Sequence, residues 1–273
     1  MKIAFLGLGI MGFNMAKHLQ KNHEVLVWNR NSEKTIKFGQ PVLSLQETVQ
    51  NADFIIMCLG DDKSVENIVN QVLLFAKKDA IFIDHTTISA ETTKKLATKC
   101  TFLDAPVTGG QGGAEAGTLA ILCGGKKEVF EKCKPIMQSY GKNIEYFGKS
   151  GNGQIAKMAN QICIAGIIQS LAESVNFAKK SGIDAEKLYK TIGQGAGSSW
   201  QMNNRANWMI DGNFESNKGF PVEWMIKDLN ICLDEATKIG ADLPLTYAIN
   251  EKYKQIENKR IDTSSLILLL NKN

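Results

Sequence analysis

The feature that most constrains this chain is a glycine motif that begins at its seventh residue. The apolar run Lys2–Leu6 reads as a strand and leads into Gly-x-Gly-x-x-Gly, which opens a helical stretch at Gly12–Asn22. Glycines at these positions permit a tight turn, close approach of a pyrophosphate and close packing of helix against strand. The free N–H groups of the helix start can bind phosphate. We therefore predict a dinucleotide site formed by Gly7, Leu8, Gly9, Ile10, Met11 and Gly12.

The chain up to about residue 150 alternates short β-rich runs with helical stretches. This alternation is typical of a doubly wound, mostly parallel sheet covered by helices, the Rossmann architecture. After the strand at Lys2–Leu6, we predict strands at Glu24–Trp28, Phe54–Leu59, Ala80–Asp84, Phe102–Asp104, Leu119–Cys123 and Asn143–Phe147.

The pattern changes after Gly151. Residues Asn152 to Lys180 lack proline and carry apolar residues at helical spacing, which predicts one long helix that ends at Ser181-Gly182. We predict that this helix joins a dinucleotide-binding domain, residues 1–151, to an all-α domain, residues 152–273. Further helices are expected at Ala185–Gly193, Met202–Ile210, Val222–Ile239 and Tyr247–Asn258.

Composition excludes several kinds of partner. The net charge of +4 comes from 32 basic and 28 acidic residues without a basic run, so we expect no nucleic acid partner. No uninterrupted apolar stretch approaches the roughly 20 residues that span a bilayer, so no membrane partner is expected. The six cysteines form no Cys-x-x-Cys pair and the three histidines lack zinc-ligand spacing, so we predict reduced thiols, a cytoplasmic protein and no metal.

The residues after the second strand distinguish the two nicotinamide cofactors. An NAD-binding protein usually carries an acidic residue there, which accepts hydrogen bonds from the ribose hydroxyls. Here the sequence has Asn29 and Arg30, with Lys34 one helical turn further on. Arg30 can pair with the 2′-phosphate of NADP, with Lys34 assisting. We predict that NADP is preferred and that NAD can also bind. The alternative is a solvated charged loop.

Two further segments carry candidate chemistry. The segment Asp104-Ala105-Pro106-Val107-Thr108-Gly109-Gly110 continues the chain after the predicted strand Phe102–Asp104, and the N–H groups of its clustered glycines can bind an anion. It can equally be a simple loop. The second segment, Gly148 to Gln161, opens the long helix and places Lys157 among apolar neighbours. A lysine there is costly to bury unless it is paired or used chemically, and a lysine that snorkels to solvent is the alternative.

Four motifs in order resemble the β-hydroxyacid dehydrogenase family, which includes 3-hydroxyisobutyrate dehydrogenases, tartronate semialdehyde reductases and glyoxylate/succinic semialdehyde reductases. They are Gly7–Gly12, Asp104–Gly110, Gly148–Gln161, and Gly219-Phe220 through Lys227-Asp228-Leu229. The resemblance spans nearly the whole chain and implies a hydride transfer between nicotinamide and a small anionic hydroxyacid or semialdehyde. Separately from the resemblance, the many apolar faces of the predicted helical domain favour a homo-oligomer, a dimer or tetramer.

The resemblance implies a role for each matching residue. Lys157 is the expected acid/base, and Thr108, Gly109 and Gly110 are expected to hold the substrate carboxylate. Two departures stand out: the family often has serine at Thr108, and asparagine at Gln161. Because Asn160 lies one place earlier, either Asn160 or Gln161 is expected to contact substrate, and we favour Asn160.

The remaining site predictions also rest on the resemblance. Phe220 and Asp228 are expected on the substrate side and Lys227 on the cofactor side, whereas by sequence alone Lys227 and Asp228 are a surface pair. A proline common in the family at Gly60 is missing. The expected nicotinamide contacts are Leu59, Gly60, Ser64 and Thr87.

Some alternatives stay open. An imine reductase, a catalytically silent NADP-binding regulator and a phosphogluconate-type dehydrogenase are rival functions. Lys157 argues against the first, Lys157 together with Thr108-Gly109-Gly110 against the second, and the short second domain and Asn160 against the third. The sequence does not identify the acid. Trp200, Met202, Arg205 and Phe220 are candidates for the distal pocket. Arg205 either binds a second carboxylate or stabilises the helical domain.

Overall fold

The computed structural model describes residues 1–215 and 219–270, and the chain divides into two compact units. Unit 1 comprises Met1–Lys157 and unit 2 comprises Met158–Asn273. The division falls inside one continuous helix, Asn152–Lys180, so the last residue of unit 1 is also the sixth residue of that helix.

Unit 1 contains a five-stranded parallel sheet, which confirms the predicted α/β architecture. The strands are β1 (Lys2–Leu6), β2 (Glu24–Trp28), β3 (Phe54–Met57), β4 (Ile81–Asp84) and β5 (Thr101–Asp104), in the order β2-β1-β3-β4-β5. Every residue of β3 and β4 is buried. Apart from Asp84 at the end of β4 these residues are apolar, and such buried apolar strands are typical of a parallel sheet covered on both faces.

Both faces of this sheet are packed. Along β1, Ile3 and Phe5 belong to one buried cluster and Ala4 and Leu6 to another, because successive side chains of a strand point to opposite faces. Helices cover these faces. They are α1 (Ile10–Leu19), α2 (Glu33–Phe38), α3 (Leu45–Val49), α4 (Asp62–Val72), α5 (Ala90–Ala97), α6 (Gly110–Ala116) and α7 (Lys127–Met137).

A second, three-stranded sheet completes unit 1. It consists of β6 (Val107–Thr108), β7 (Leu119–Cys123) and β8 (Gly141–Tyr146), with β6 antiparallel and β8 parallel to β7. Strand β6 was not predicted, because two residues are too short to show a period-2 pattern. The strand predicted at Asn143–Phe147 begins two residues earlier and ends one residue earlier.

The described part of unit 2 is built from helices, as the sequence predicted. The long helix α8 (Asn152–Lys180) begins in unit 1, and α9 (Ala185–Ile192), α10 (Trp200–Asp211), α11 (Val222–Ile239) and α12 (Pro244–Gln255) follow. A 3-10 helix, Thr263–Leu269, follows α12. The predicted helix at Tyr247–Asn258 begins earlier, since Pro244 stands at the helix start, where its missing N–H costs nothing.

Helix α8 is long and apolar enough to cross a membrane by length and composition alone. It is the one helix among the described residues that meets this test, and 44% of its most apolar window is buried inside the protein. The buried residues Ala165, Ile168, Ala172 and Val175 belong to the core cluster of unit 2. The same apolar character is expected of a helix at the centre of a helical core.

The cysteines differ in environment. Cys123, Cys133 and Cys232 are buried, whereas Cys163 is exposed on α8. All six are thiols. No cluster of three histidine, cysteine or acidic side chains able to hold a metal occurs among residues 1–215 and 219–270.

Candidate active site

The glycine motif forms the turn between β1 and α1. The N–H of Gly7 donates to the carbonyl oxygen of Trp28 (2.9 Å), and Gly7 has a φ of 104°. A Cβ on Gly7 would collide with the carbonyl oxygen of Cys58, and one on Gly12 with the carbonyl oxygen of Gly7. Two of the three glycines are therefore required by the packing of the turn itself.

Gly9 is different. It is the N-cap of α1, and a Cβ placed on it would meet no protein atom within 4 Å. Its φ of −72° is open to any residue, so the fold alone does not demand glycine there. The first turn of α1 carries no acidic residue. Open space above a helix start without nearby carboxylates fits a pyrophosphate, so the residues present fit the expected dinucleotide.

The end of β2 is tied to this turn by Asn29. Its side-chain oxygen accepts a hydrogen bond from the N–H of Leu8 (2.9 Å), and its amide nitrogen donates to the carbonyl oxygen of Asn31 (3.0 Å). Arg30 and Lys34 are exposed. Asn29 thus stabilises the glycine turn, while Arg30 and Lys34 after it are open to solvent.

The loops after β3 and β4 are hydrogen-bonded to each other. The N–H of Leu59 donates to the hydroxyl of Thr86 (2.9 Å), and Thr86 N–H donates to the carboxylate of Asp84 (3.0 Å). Ser64 lies in the first turn of α4, where its N–H is capped by Asp61 (2.8 Å). Because the strands are parallel, the predicted residues Leu59, Gly60, Ser64 and Thr87 follow the same edge of the sheet as the glycine turn.

The first turn of α8 is held by two buried side chains. The carboxylate of Asp104, at the end of β5, accepts hydrogen bonds from the N–H groups of Gly151 (3.0 Å) and Gln154 (3.2 Å). The side-chain oxygen of Gln154 accepts from Ile88 N–H (3.1 Å), and its amide nitrogen donates to the carbonyl oxygen of Thr86 (2.8 Å). Burial raises the pKa of Asp104, and these N–H donors oppose the rise.

Lys157 lies one turn after Gln154 on α8. Its side chain is buried, with 7% of the residue exposed, so it does not snorkel into solvent as one interpretation of the sequence allowed. A lysine retained at such a position needs partners or a chemical use, because burying an ammonium group without compensation is costly. The acid/base role of Lys157 stays a prediction, and its burial is compatible with that role.

The loop after β6 is packed against the glycine-turn helix. Thr108 pairs with Ala120 of β7, and Gly109 and Gly110 have φ values of 130° and 62°. No protein atom lies within 4 Å of a Cβ placed on Gly110. His18 of α1 contacts the carbonyl oxygens of Ala114 (3.1 Å) and of its neighbour in α6. The three predicted residues of this loop therefore lie on a fixed backbone with open space beside Gly110.

In unit 2, four of the predicted residues form one chain of contacts. The amide of Asn160 donates to the side-chain oxygen of Gln161 (2.9 Å), whose own amide donates to Asp228 (2.6 Å). The ammonium of Lys227 lies 3.0 Å from the other carboxylate oxygen of Asp228. Asp228 is 2% exposed, so this is a half-buried ion pair and not the solvated surface pair suggested by sequence alone. Gln161 is occupied by its neighbours, which favours Asn160 as the amide that is available to a ligand.

Phe220 and Arg205 belong to a separate group in unit 2. The guanidinium of Arg205 makes a bidentate pair with Asp262 (3.0 Å for both contacts) and donates to Gln201 (2.6 Å). Asp262 also accepts from the N–H of Phe220 (2.7 Å). Arg205 was expected either to bind a second substrate carboxylate or to stabilise the helical domain. The contacts favour stabilisation, because its guanidinium N–H groups already donate to the buried side chains of Asp262 and Gln201.

Comparisons with known proteins identify the chain. Residues 2–148 match the family profile described as the NAD binding domain of 6-phosphogluconate dehydrogenase, and residues 151–270 match the one described as NAD-binding of NADP-dependent 3-hydroxyisobutyrate dehydrogenase. The 2-hydroxy-3-oxopropionate reductase of Escherichia coli is 33% identical, over 99% of this chain and 97% of the reductase. The chain belongs to the β-hydroxyacid dehydrogenase family.

Two further relatives support the membership. An uncharacterised oxidoreductase of Shewanella frigidimarina is 40% identical, over 99% of this chain and 98% of the relative. The structure of Mycobacterium tuberculosis 3-hydroxyisobutyrate dehydrogenase with L-serine superimposes with a TM-score of 0.88 at 29% identity, covering 99% of both chains. As a member of the β-hydroxyacid dehydrogenase family, the protein is an NAD(P)-dependent oxidoreductase.

Sequence reasoning missed three residues that organise the family motifs in this chain. Asp104 and Gln154 lie inside quoted motifs but were given no role, and Asp262 was not singled out. Each is a polar residue with 1% exposure or less. For Asp104 and Gln154 the available signal was a polar side chain between two apolar or glycine neighbours, as in Leu103-Asp104-Ala105 and Gly153-Gln154-Ile155.

Proposed function

We propose that this member of the family is an NADP-dependent oxidoreductase that moves hydride between the nicotinamide and a small β-hydroxyacid or semialdehyde, with Lys157 as acid/base. The observation that carries the proposal is the buried lysine at the start of α8, in a chain whose glycine turn fits a dinucleotide. A lysine beside a carbonyl polarises and protonates it without a metal.

The chain's own residues account for the proton. When bound, the reduced cofactor supplies a hydride to the aldehyde carbon. Lys157 gives a proton from its ammonium group to the aldehyde oxygen, which becomes the hydroxyl of the product. In the reverse direction, neutral Lys157 takes the hydroxyl proton. Each direction changes the charge of one side chain and leaves the substrate carboxylate unaltered.

The exposed cations after β2 support the NADP preference. Arg30 offers planar, bidentate donors suited to a phosphate, and Lys34 lies one turn further along. Asn29 carries an amide and therefore offers no carboxylate to a ribose hydroxyl. That amide already accepts a hydrogen bond from Leu8 N–H and donates one to the carbonyl oxygen of Asn31. The family profile of residues 151–270 is described by its NADP-dependent member. NAD remains a weaker alternative cofactor under this proposal.

The proposed substrate contacts are those that the family motifs predict. Thr108, Gly109 and Gly110 would bind the carboxylate through a hydroxyl and backbone N–H groups. Asn160 would orient the reacting group, supported by Gln161. Phe220 and Asp228 would border the substrate, and Lys227 would approach the cofactor. The remaining proposed cofactor contacts are Leu59, Gly60, Ser64 and Thr87.

A substrate panel tests the function. Succinic semialdehyde, glyoxylate and tartronate semialdehyde are reduced with NADPH or NADH, and 3-hydroxyisobutyrate is oxidised with NADP or NAD. We expect at least one acid to be turned over, with a higher kcat/KM for the phosphorylated cofactor. An amide or ester of the best substrate should lose most of its kcat/KM, because each charge-assisted hydrogen bond contributes roughly 1.5–3 kcal/mol. Absence of turnover across the panel, with NADPH bound, would leave a silent cofactor-binding protein.

A homo-oligomer also stays a prediction. Helix α8 exposes Ile167 and Phe177, and α12 exposes Leu245 and Tyr247. Apolar side chains of this size on a helical surface favour association with another copy of the chain. Light scattering after size-exclusion chromatography distinguishes a monomer of about 30 kDa from a dimer or tetramer.

A further inference from the structure

Two buried side chains define where α8 starts. The N–H groups in the first turn of a helix have no partner within the helix, and side chains usually satisfy them. Here the carboxylate of Asp104 does so from 47 and 50 residues away, accepting from Gly151 and Gln154. A carboxylate at this end of a 29-residue helix is also favoured by the helix dipole.

The amide of Gln154 extends this connection to the loop after β4. Its oxygen faces the N–H of Ile88 and its nitrogen faces the carbonyl oxygen of Thr86. The orientation is determined, because a flipped amide would place donor against donor and acceptor against acceptor. Gln154 is fully buried, so water cannot replace either contact without entering the core.

The neighbouring glycines show how closely these groups approach. A Cβ on Gly124 would lie 2.6 Å from a carboxylate oxygen of Asp104. One on Gly153 would lie 2.8 Å from the same oxygen and would collide with the carbonyl oxygen of Leu122. The backbone therefore reaches Asp104 directly, with no space for a bridging water. Such direct, buried contacts permit little displacement of the helix start.

We propose that Asp104 and Gln154 are positioning residues for the reaction: they fix the helix turn before Lys157 against the loop Thr86–Ile88. This rests on the proposed function, in which Lys157 transfers the proton and Thr87 of that loop contacts the nicotinamide. Gln154 lies three residues before Lys157, on the same side of α8. The pair thereby sets the distance between the proton donor and the hydride donor.

The test replaces Gln154 and compares it with a matched glutamine. Gln154→Met keeps the length of the side chain and removes both hydrogen bonds. Gln40 makes the same two kinds of contact elsewhere in unit 1: it accepts from Val27 N–H (3.1 Å) and donates to the carbonyl oxygen of Val25 (2.6 Å). Gln40→Met is therefore the control for loss of a bifunctional amide. Asp104→Asn, which retains shape but turns one acceptor into a donor, is the second variant.

Three quantities are measured with the fastest semialdehyde of the panel: kcat, the NADPH Kd, and the isotope effect on kcat with NADPH dideuterated at nicotinamide C4. We expect kcat of Gln154→Met and Asp104→Asn to fall on the order of 10–100-fold, because small misplacements of reacting groups have effects of this size. The NADPH Kd should change less than about threefold, and the isotope effect should increase as hydride transfer becomes rate-limiting. Gln40→Met should lower the Tm while kcat and the isotope effect stay at wild-type values.

A wild-type kcat and isotope effect in folded Gln154→Met, or equal kinetic losses in Gln40→Met, would overturn the proposal. If Gln154→Met does not fold, Gln154→Asn, whose shorter amide cannot reach both loop partners, is measured in its place. Lys157→Ala separates the two levels of the argument. Loss of activity in Lys157→Ala with none in the Gln154 variants contradicts only the positioning role, whereas full activity in Lys157→Ala contradicts the proposed function itself.

Discussion

For a single residue, burial decides what a charged side chain can bind. Arg30 is exposed after β2, and its donors are directed at solvent and available to a phosphate. Arg205 is 5% exposed and its guanidinium faces Asp262 and Gln201. The sequence predicted a ligand role for the first and allowed one for the second. Only the three-dimensional partners separate these two arginines, because Asp262 lies 57 residues from Arg205.

We predict that Arg30→Asp reverses or abolishes the preference for NADPH. The substitution removes a phosphate partner and adds a charge that repels phosphate but accepts from ribose hydroxyls. The ratio of kcat/KM for NADPH to that for NADH should fall about 10-fold or more, the size of one charge-assisted hydrogen bond. Arg260→Asp, which makes the same charge change at an exposed arginine of unit 2, should leave the ratio unchanged. A wild-type kcat/KM for NADH that equals or exceeds the value for NADPH would refute this role of the loop.

Arg205→Met tests the other arginine. Removing one partner of a buried ion pair leaves an uncompensated charge on Asp262, which costs about 3–5 kcal/mol. We expect the free energy of unfolding in urea to fall by that amount, while KM is unchanged for substrates with one and with two carboxylates. A KM increase confined to dicarboxylates, with stability retained, would instead make Arg205 a substrate-binding residue.

At the scale of elements, the sequence predicted most boundaries where strong signals coincide. Strands β1, β2 and β7 and helices α8 and α11 have the predicted bounds. Apolar periodicity and a terminating glycine agree at the ends of α8 and α11. Strand β6 escaped detection because its two residues pair only through contact with β7. Local patterns therefore specify long elements, while short ones depend on tertiary partners.

The turn between β1 and α1 allows a sharp comparison of two glycines. Gly9→Ala meets no protein atom, so we expect the free energy of unfolding to be unchanged or slightly increased. Its methyl group would occupy the space proposed for the pyrophosphate, so the NADPH Kd should rise at least about tenfold. Gly12→Ala should lower both stability and binding, because its Cβ collides with the carbonyl oxygen of Gly7. Wild-type NADPH affinity in Gly9→Ala, measured by fluorescence titration, would show that the pyrophosphate does not bind at this turn.

At the scale of the whole molecule, the fold could be predicted but the site only in part. The glycine turn and the buried lysine lie in contiguous motifs, so their sequence is enough to propose them. The contacts of Gln154 with Thr86 and Ile88 join residues 68 and 66 positions apart. No local pattern encodes such a pairing. It arises because β4 and the start of α8 are brought together by the fold of unit 1.

Acid stability is a second property of the assembled fold. His85 is wholly buried, where its Nδ1 donates to the carbonyl oxygen of Ala105 (2.6 Å) and its Nε2 accepts from the hydroxyl of Tyr140 (2.7 Å). Burial lowers the pKa of His85 from 6.5 to about 4. The unfolded chain therefore binds a proton between these values while the folded chain does not, and stability falls as pH decreases through this window.

We predict that His85 contributes about 2–3 kcal/mol to the loss of unfolding free energy between pH 6.5 and 4.5. His85→Phe should be less stable at neutral pH, since it leaves two buried polar groups without a partner, but its stability should depend less on pH over this range. His23→Phe serves as the control, because His23 is only half-buried at the surface and its substitution should leave most of the pH dependence. The unfolding free energy is measured in urea at each pH. An equal dependence on pH in wild type and His85→Phe would contradict this role of His85.

The most direct test of the account is the effect of Lys157 on turnover. Lys157→Ala should lower kcat on the order of 10²–10⁴-fold, the usual contribution of a positioned acid/base. Lys157→Arg should also fail, because a guanidinium does not readily release a proton. The NADPH Kd should change little in both variants, and Lys149→Ala, at an exposed lysine just before α8, should keep wild-type kcat. A near-normal kcat in Lys157→Ala with the best substrate of the panel would contradict the proposed mechanism.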